Sequence, residues 1–231
     1  MNSDPHRATA RELADLHLQR GDPLGWFESL YRRADGQAAV IPWADLRPNP
    51  HLVEWLSSAA LSPRRTLGRA LGRALVIGCG LGDDAELLAA TGWSVVAFDI
   101  SAEAIRWARE RFPQSNVDYR AVDLFDAPGE WRRQFDLVVE VYTLQVLPPG
   151  LRAQAVEVAA GWVSVGGLLC LIARGREESD PPGQMPWPLT EREVRAFEGA
   201  GLHCEGFDDF LDREEPAVRR FRAVFRRTAQ G

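Results

Sequence analysis

The 231-residue chain contains no lysine, and all 27 of its basic residues are arginine. Phosphate loops built on a lysine, Schiff-base chemistry and the paired lysine of protein kinases are therefore excluded. Cysteine is scarce. Cys79, Cys170 and Cys204 lie far apart and form no CxxC pair, so neither a disulfide framework nor a zinc site is expected. The four histidines, His6, His17, His51 and His203, fall outside every motif below, and no carboxylate–histidine cluster suggests a divalent metal. No apolar run approaches the length of a membrane-spanning helix. Met1 to Gly21 carries Asp4, Arg7, Arg11, Glu12 and Asp15 where a secretory signal would be apolar. A net charge of −6 argues against general attraction to nucleic-acid backbone. These absences point to a cytoplasmic protein that binds neither membrane nor nucleic acid. With 45% hydrophobic and 26% charged residues, the chain has the composition of a globular protein with a substantial core.

Residues 1–72 read as a helical and irregular extension. Leu13 and Leu16 mark a first helix stopped at Gly21, and Trp26, Phe27, Leu30 and Tyr31 share a face of a second. The proline-rich stretch Ile41 to Pro50 breaks regular structure before a helix over His51 to Ser57. From Arg73 to the end at 231, the pattern changes to alternating strands and helices. Strands are expected at Ala74–Ile77, Ser94–Phe98, Val117–Ala121, Phe135–Val141 and Gly167–Ala173, with helices over Asp83–Ala90, after Ser101, through Leu151–Trp162 and over Thr190–Ala200. Two further strands, Leu202–Phe210 and Ala217–Phe225, follow one another without a helix, as an antiparallel edge would. The fold class is thus α/β, a doubly wound and mostly parallel seven-stranded sheet.

The strongest local signal is Val76-Ile77-Gly78-Cys79-Gly80-Leu81-Gly82-Asp83-Asp84, a strand, a glycine turn and a helix start. Glycines let the chain turn sharply and let a ligand approach the backbone. Position 83, where a dinucleotide fingerprint wants its third glycine, holds Asp83. Asp83 and Asp84 either cap the helix or face the ligand. In the second case they repel a pyrophosphate and favour an ammonium or sulfonium group. Asp99 ends the second strand 21 positions after Gly78, the place from which a carboxylate accepts hydrogen bonds from ribose hydroxyls. Asp123, after the third strand, can accept from an adenine amine while Leu124 offers its N–H to the ring; it would otherwise be a solvated loop residue.

The series Val76–Gly82, Val96-Ala97-Phe98-Asp99, Val122-Asp123-Leu124, Phe135-Asp136-Leu137-Val138 and Gly166-Gly167-Leu168-Leu169 resembles the class I S-adenosylmethionine-dependent methyltransferases over roughly residues 70–228. The resemblance implies a Rossmann-like sheet of order 3-2-1-4-5-7-6 and S-adenosyl-L-methionine as cofactor. Its methionine part would lie on Gly78, Cys79 and Gly80 beside Asp83, its ribose on Asp99 and Ile100, and its adenine on Asp123 and Leu124. The N-terminal stretch with Trp26, Tyr31 and Ile41-Pro42-Trp43 is similar to the aromatic N-terminal segment of thiopurine methyltransferase-like enzymes, which implies a lid placing Trp26, Tyr31 and Trp43 on the cofactor.

Residues 139–145 lack the Asn/Asp-Pro-Pro-Tyr box of adenine-N6 and glutamine methyltransferases, which points to a small-molecule acceptor. If that acceptor must lose a proton, Tyr142 or Glu140 at the end of the fourth strand is best placed; cofactor contact or packing is the alternative for both. Arg174 and Arg176, after the fifth strand, can pair with an anionic substrate, and Met185 and Trp187 can form an apolar wall. Cys79 has no histidine or lysine beside it and reads as a small turn residue. Two rival classes stay open: a non-catalytic cofactor-binding domain, and an NAD-dependent oxidoreductase, which Asp83 and the missing catalytic lysine oppose.

Overall fold

The computed structural model describes residues 5–58 and 71–229. Residues 59–70, just ahead of the domain boundary expected at 72, lie outside that description. Strands β1 (Arg73–Ile77), β2 (Ser94–Asp99), β3 (Asp118–Ala121), β4 (Phe135–Val141), β5 (Val163–Arg174), β6 (Leu202–Leu211) and β7 (Arg219–Arg227) form one sheet in the order 3-2-1-4-5-7-6. The first five are mutually parallel, while β7 runs antiparallel to both β5 and β6. The last strand of the chain is thus interior. That explains why Phe221, Ala223 and Phe225 are buried although β6, outside them, is largely exposed.

Alternation along the strands sorts the side chains into two layers. Leu75, Ile77, Phe98, Val138, Leu169 and Leu171 face α6 (Pro149–Trp162) and α7 (Glu191–Gly199). Ala74, Val76, Ala97, Leu137, Val139 and Cys170 face α3 (Pro50–Ser57), α4 (Asp83–Ala90) and α5 (Ala102–Arg111). Because both faces are covered, the strands read as continuous apolar runs. Local capping fixes where the helices begin. Ser101 accepts from the Ala104 N–H, Asn49 from the N–H groups of His51 and Leu52, and Thr190 forms a capping box with Glu193.

The helix ending at Trp162 passes directly into β5, so this strand starts four residues earlier than the glycines at 166 and 167 suggest. A register irregularity between Phe135 and Leu137 absorbs the extra length. At the N-terminus, α1 (Pro5–Gln19) and α2 (Trp26–Ala34) form a third cluster. Trp26, Leu30, Tyr31 and Ile41 pack there against Ala104 and Trp107 of α5 and against Leu81 of the glycine turn.

Candidate functional site

The parallel register brings Ile77, Asp99, Val141 and Arg174 to the same edge of the sheet. This is the carboxyl end, beside the crevice where doubly wound sheets hold ligands. A cavity of about 450 Å³ opens there, floored by these strand ends and roofed by Phe27, Tyr31, Pro42 and Trp43 of the N-terminal segment.

The turn after β1 fits closely against its neighbours. Gly78 and Gly80 have φ of 58° and 51°, the left-handed region that glycine enters without strain. A Cβ on Gly78 would stand 2.4 Å from the Thr143 hydroxyl, and one on Gly80 3.2 Å from the Tyr31 hydroxyl. Asp99 is 7% exposed and organises the turn, accepting from the Gly80 N–H on one oxygen and the Ser101 N–H on the other, both at 2.9 Å. Burial nevertheless raises its pKa to about 6, against the pull of these two donors. Asp99 also lines the cavity, as a ribose contact requires.

The two carboxylates that open α4 have separate fates, and neither caps that helix. Asp83 forms a bidentate ion pair with Arg111, at 2.7 and 2.8 Å, so its charge is offset. Asp84 accepts from the Asn49 N–H at 2.7 Å, and burial raises it to about 6. Of the acidic pair that the sequence suggested facing a cation, Asp84 has no ion-pair partner among the described residues. Asp123 lines the far end of the cavity and accepts from the Phe125 N–H at 2.9 Å, ordering the turn that carries Leu124 and Phe125. With Val122 and Ile100, these side chains make an apolar slot between Asp99 and Asp123. A tight glycine cradle, a buried carboxylate on the cavity and an apolar slot ending in an acid fit an adenosine joined to a cationic chain.

The roof is fastened at two points. Trp43 Nε1 donates to the Tyr31 hydroxyl at 2.9 Å directly above Gly80. Glu28 Oε2 accepts from Ser101 Oγ at 2.7 Å and from the Glu103 N–H at 3.1 Å. Burial pushes the Glu28 carboxyl up, but these donors together with Arg32 outweigh it and hold the group below its ordinary range. Glu28→Ala is expected to cost about 1–2 kcal/mol of stability through the lost charge-assisted bonds, read from urea unfolding. An unchanged midpoint contradicts this role.

Several anticipated contacts differ. Trp26 is 1% exposed and stacks on Phe27 at 3.9 Å between α1 and α5, leaving Phe27 on the cavity. Glu140 does not reach the cavity. Its Oε1 accepts from the N–H groups of Thr143 and Leu144 at 2.6 and 2.8 Å, its Oε2 is buried without a partner among the described residues, and burial raises its pKa to about 7. Trp187 also turns away and lies under the Arg152 guanidinium at 5.7 Å, while Met185 and Pro186 supply the wall. Arg176 is bound to the carbonyls of Pro188, Glu177 and Asp180 and is not available to a ligand. Cys79 lines the cavity, but burial first, and Asp99 second, push its thiol well up, which suits a turn residue and not a nucleophile. His51 packs edge-on against Phe210, 4.9 Å away.

Tyr142 does line the cavity, in a left-handed conformation with φ 65° that costs roughly 1–2 kcal/mol outside glycine. Its ring lies under the Arg220 guanidinium at 4.9 Å. Burial raises the phenol above its usual pKa, with Arg220 and the Asn49 side chain opposing, so it stays protonated near neutrality. Arg174 lines the cavity as well, its N–H donating to Gln145 Oε1 at 2.7 Å. Sequence reasoning places Phe27 only on a helix face and misses Asn49, Thr143 and Gln145 as cavity residues. Asn49, before Pro50, carries a helix-capping signal.

A doubly wound sheet in this order, with a glycine turn after β1 and an acid ending β2, defines a nucleoside-cofactor-binding α/β domain. Residues 74–167 match the family described as "Methyltransferase domain". The stretch that matches this methyltransferase-domain model, from β1 into β5, is somewhat less than half of the chain. The chain is 27% identical over 149 residues to a probable thiol methyltransferase 2 of Arabidopsis thaliana, covering 62% of this chain and 58% of that relative. It is 29% identical over 178 residues to a ubiquinone biosynthesis O-methyltransferase of Xanthomonas axonopodis pv. citri, covering 76% of this chain and 67% of that one. The chain thus spans less than two thirds of the length of the plant relative. In fold it is similar to the N-methyltransferase NodS of Bradyrhizobium japonicum WM9, solved with S-adenosylhomocysteine, with a TM-score of 0.65, 21% identity, and coverage of 85% of this chain and 97% of that one. Among the described residues, no helix is long and apolar enough to cross a membrane.

Proposed function

We propose that this protein transfers the methyl group of S-adenosylmethionine to a small organic acceptor. The observation that carries this reading is the convergence of the glycine turn, Asp84, Asp99 and Asp123 on one roofed cavity. Bound there, S-adenosylmethionine supplies an electrophilic methyl group on a sulfonium sulfur. Gly78 and Gly80 would hold the amino-acid chain, with Asp84 offering the cation a carboxylate. Asp99 would take the ribose hydroxyls, Ile100 the ribose edge, and Asp123 and Leu124 the adenine. Tyr31 and Trp43 exclude water from above.

In-line methyl transfer asks chiefly for alignment, and positioning of reactants can supply about 7–11 kcal/mol. Neither residue anticipated as a base suits that task, since Tyr142 is held as a phenol and Glu140 faces the turn behind it. The acceptor is therefore one that arrives with its nucleophile ready, such as a thiolate or an acidic phenol. The names of the relatives, a thiol and an O-methyltransferase, are compatible with either. The net charge of −6 supports a small molecule in preference to a nucleic acid, and the unpaired, widely spaced cysteines support a cytoplasmic setting.

Calorimetric titration with S-adenosylhomocysteine and NAD, followed by assay of S-adenosylhomocysteine release on thiols and phenols, tests the reading. Binding of the sulfur nucleoside and turnover of at least one acceptor are expected. Binding of NAD alone overturns it, and nucleoside binding without turnover across the panel favours a non-catalytic domain.

A further inference from the structure

We infer that the acceptor carries a carboxylate and that Arg174 binds it. This rests on the methyltransferase reading above and names the acceptor class for the same cavity. The cavity is polarised along the sheet. Asp84, Asp99 and Asp123 lie at the end built from β1, β2 and β3, whereas Arg174 and Arg220 lie at the end built from β5 and β7, paired directly in register. A cationic donor at one end and an anionic acceptor at the other satisfy both.

The two arginines differ in their commitments. Arg220 is 3% exposed and bonds Asp212 at 2.7 Å and Glu214 at 2.5 Å, so its charge is matched within the protein. The Arg174 guanidinium has no carboxylate within ion-pair distance among the described residues, although it is half-buried and faces the cavity. Its backbone is clamped on both sides: its N–H donates to Gln145 Oε1 and its carbonyl accepts from the Leu189 N–H at 2.8 Å. Gln145 is itself buried, and its carbonyl accepts from the Trp187 N–H. A half-buried planar fork on an anchored backbone, with no carboxylate partner among the described residues, can recognise a carboxylate with two parallel bonds.

The neighbours set the rest of the chemistry. Burial disfavours the Arg174 charge, and Arg7 and Arg220 nearby add to that, opposed in part by Glu214, which also lines this end of the cavity. An anion arriving there relieves both penalties. Met185, Pro186 and the Tyr142 ring supply apolar surface, so the carboxylate belongs to an organic molecule with a flat or aliphatic body. An aryl thiol with its carboxylate across the ring is a rigid molecule of that class.

The probes are 4-mercaptobenzoate and its neutral isostere 4-mercaptobenzamide. Their affinities are measured by calorimetry for the full chain saturated with S-adenosylhomocysteine, a dead-end complex in which no transfer occurs. The acid should bind at least about tenfold more tightly than the amide. In Arg174→Gln that preference should fall to about parity, and Arg174→Lys should restore part of it. The ratio of two ligands within one variant cancels any general loss of structure. Saturation by S-adenosylhomocysteine with no preference for the acid in the native protein, including no binding of either thiol, overturns the inference and leaves the methyltransferase reading standing. A preference that survives Arg174→Gln overturns it too. Failure of S-adenosylhomocysteine to bind overturns the methyltransferase reading, and the inference with it.

Discussion

Replacement of Asp99 by alanine is expected to weaken S-adenosylhomocysteine binding by at least about 100-fold, because two ribose hydroxyls lose a charged acceptor in a dry site. Stability should change much less than affinity. The carboxylate accepts from Gly80 and Ser101, but burial raises its pKa to about 6, so much of what those donors contribute offsets the cost of holding a buried charge. Calorimetry and urea unfolding on the same variant separate the two effects. Loss of stability with unchanged affinity would place Asp99 in the structure alone. The same pKa gives a pH signature. Ribose recognition uses the ionised form, so affinity should be constant above about pH 7 and fall as the pH drops through 6, a trend to which Asp84, also raised to about 6, adds. In Asp99→Ala the fall should be shallower.

Glu140→Gln should stabilise the protein at alkaline pH relative to the native chain. A carboxyl raised by burial to about 7, from an ordinary value of 4.5, holds its proton more tightly in the folded state than in the unfolded one. Stability contributed by such a group is fully present below pH 4.5, declines as the pH rises to about 7, and changes no further above that. Glutamine does not titrate and can still accept from Thr143 and Leu144 through its carbonyl. The difference between variant and native protein should therefore grow between pH 4.5 and 8 by on the order of 3 kcal/mol. Urea midpoints at the two pH values measure that growth directly. Equal differences at both would mean that Glu140 is not titrating in this window.

The elements of the fold were legible because each strand buried on both faces leaves a continuous apolar run, bounded by residues that cap or turn. The extent of β5 was not, since Val163 to Val165 resemble a helix end until a bulge admits them to the sheet. Strand order came from the resemblance, because spacing along a chain does not say which strands pair. At the site, the acids ending strands were visible, and the structure brings Asp99, Asp84 and Asp123 to one cavity. What escaped was orientation. Trp26 and Phe27 are adjacent on α2, and only docking of that helix on α5 decides that Phe27 turns to the cavity. Arg174 and Arg176 are two residues apart where β5 ends, yet the loop carbonyls capture Arg176, beyond the strand, and leave Arg174 on the cavity. The acidity of Glu140 suggested a base, but the sharp turn at Tyr142 draws its carboxylate onto the backbone behind it.

Glu28 carries a kinetic consequence. Its carboxylate joins the roof to the first turn of the helix that follows Asp99, so the roof cannot lift without stripping Ser101 and the Glu103 amide of their acceptor. On the methyltransferase reading, product departure past the roof would require this unlatching, and residence time would then depend on a contact remote from the reacting atoms. Loosening that latch should shorten occupancy by hastening escape, with arrival little altered, so that the pace of repeated turnovers is set at the doorway.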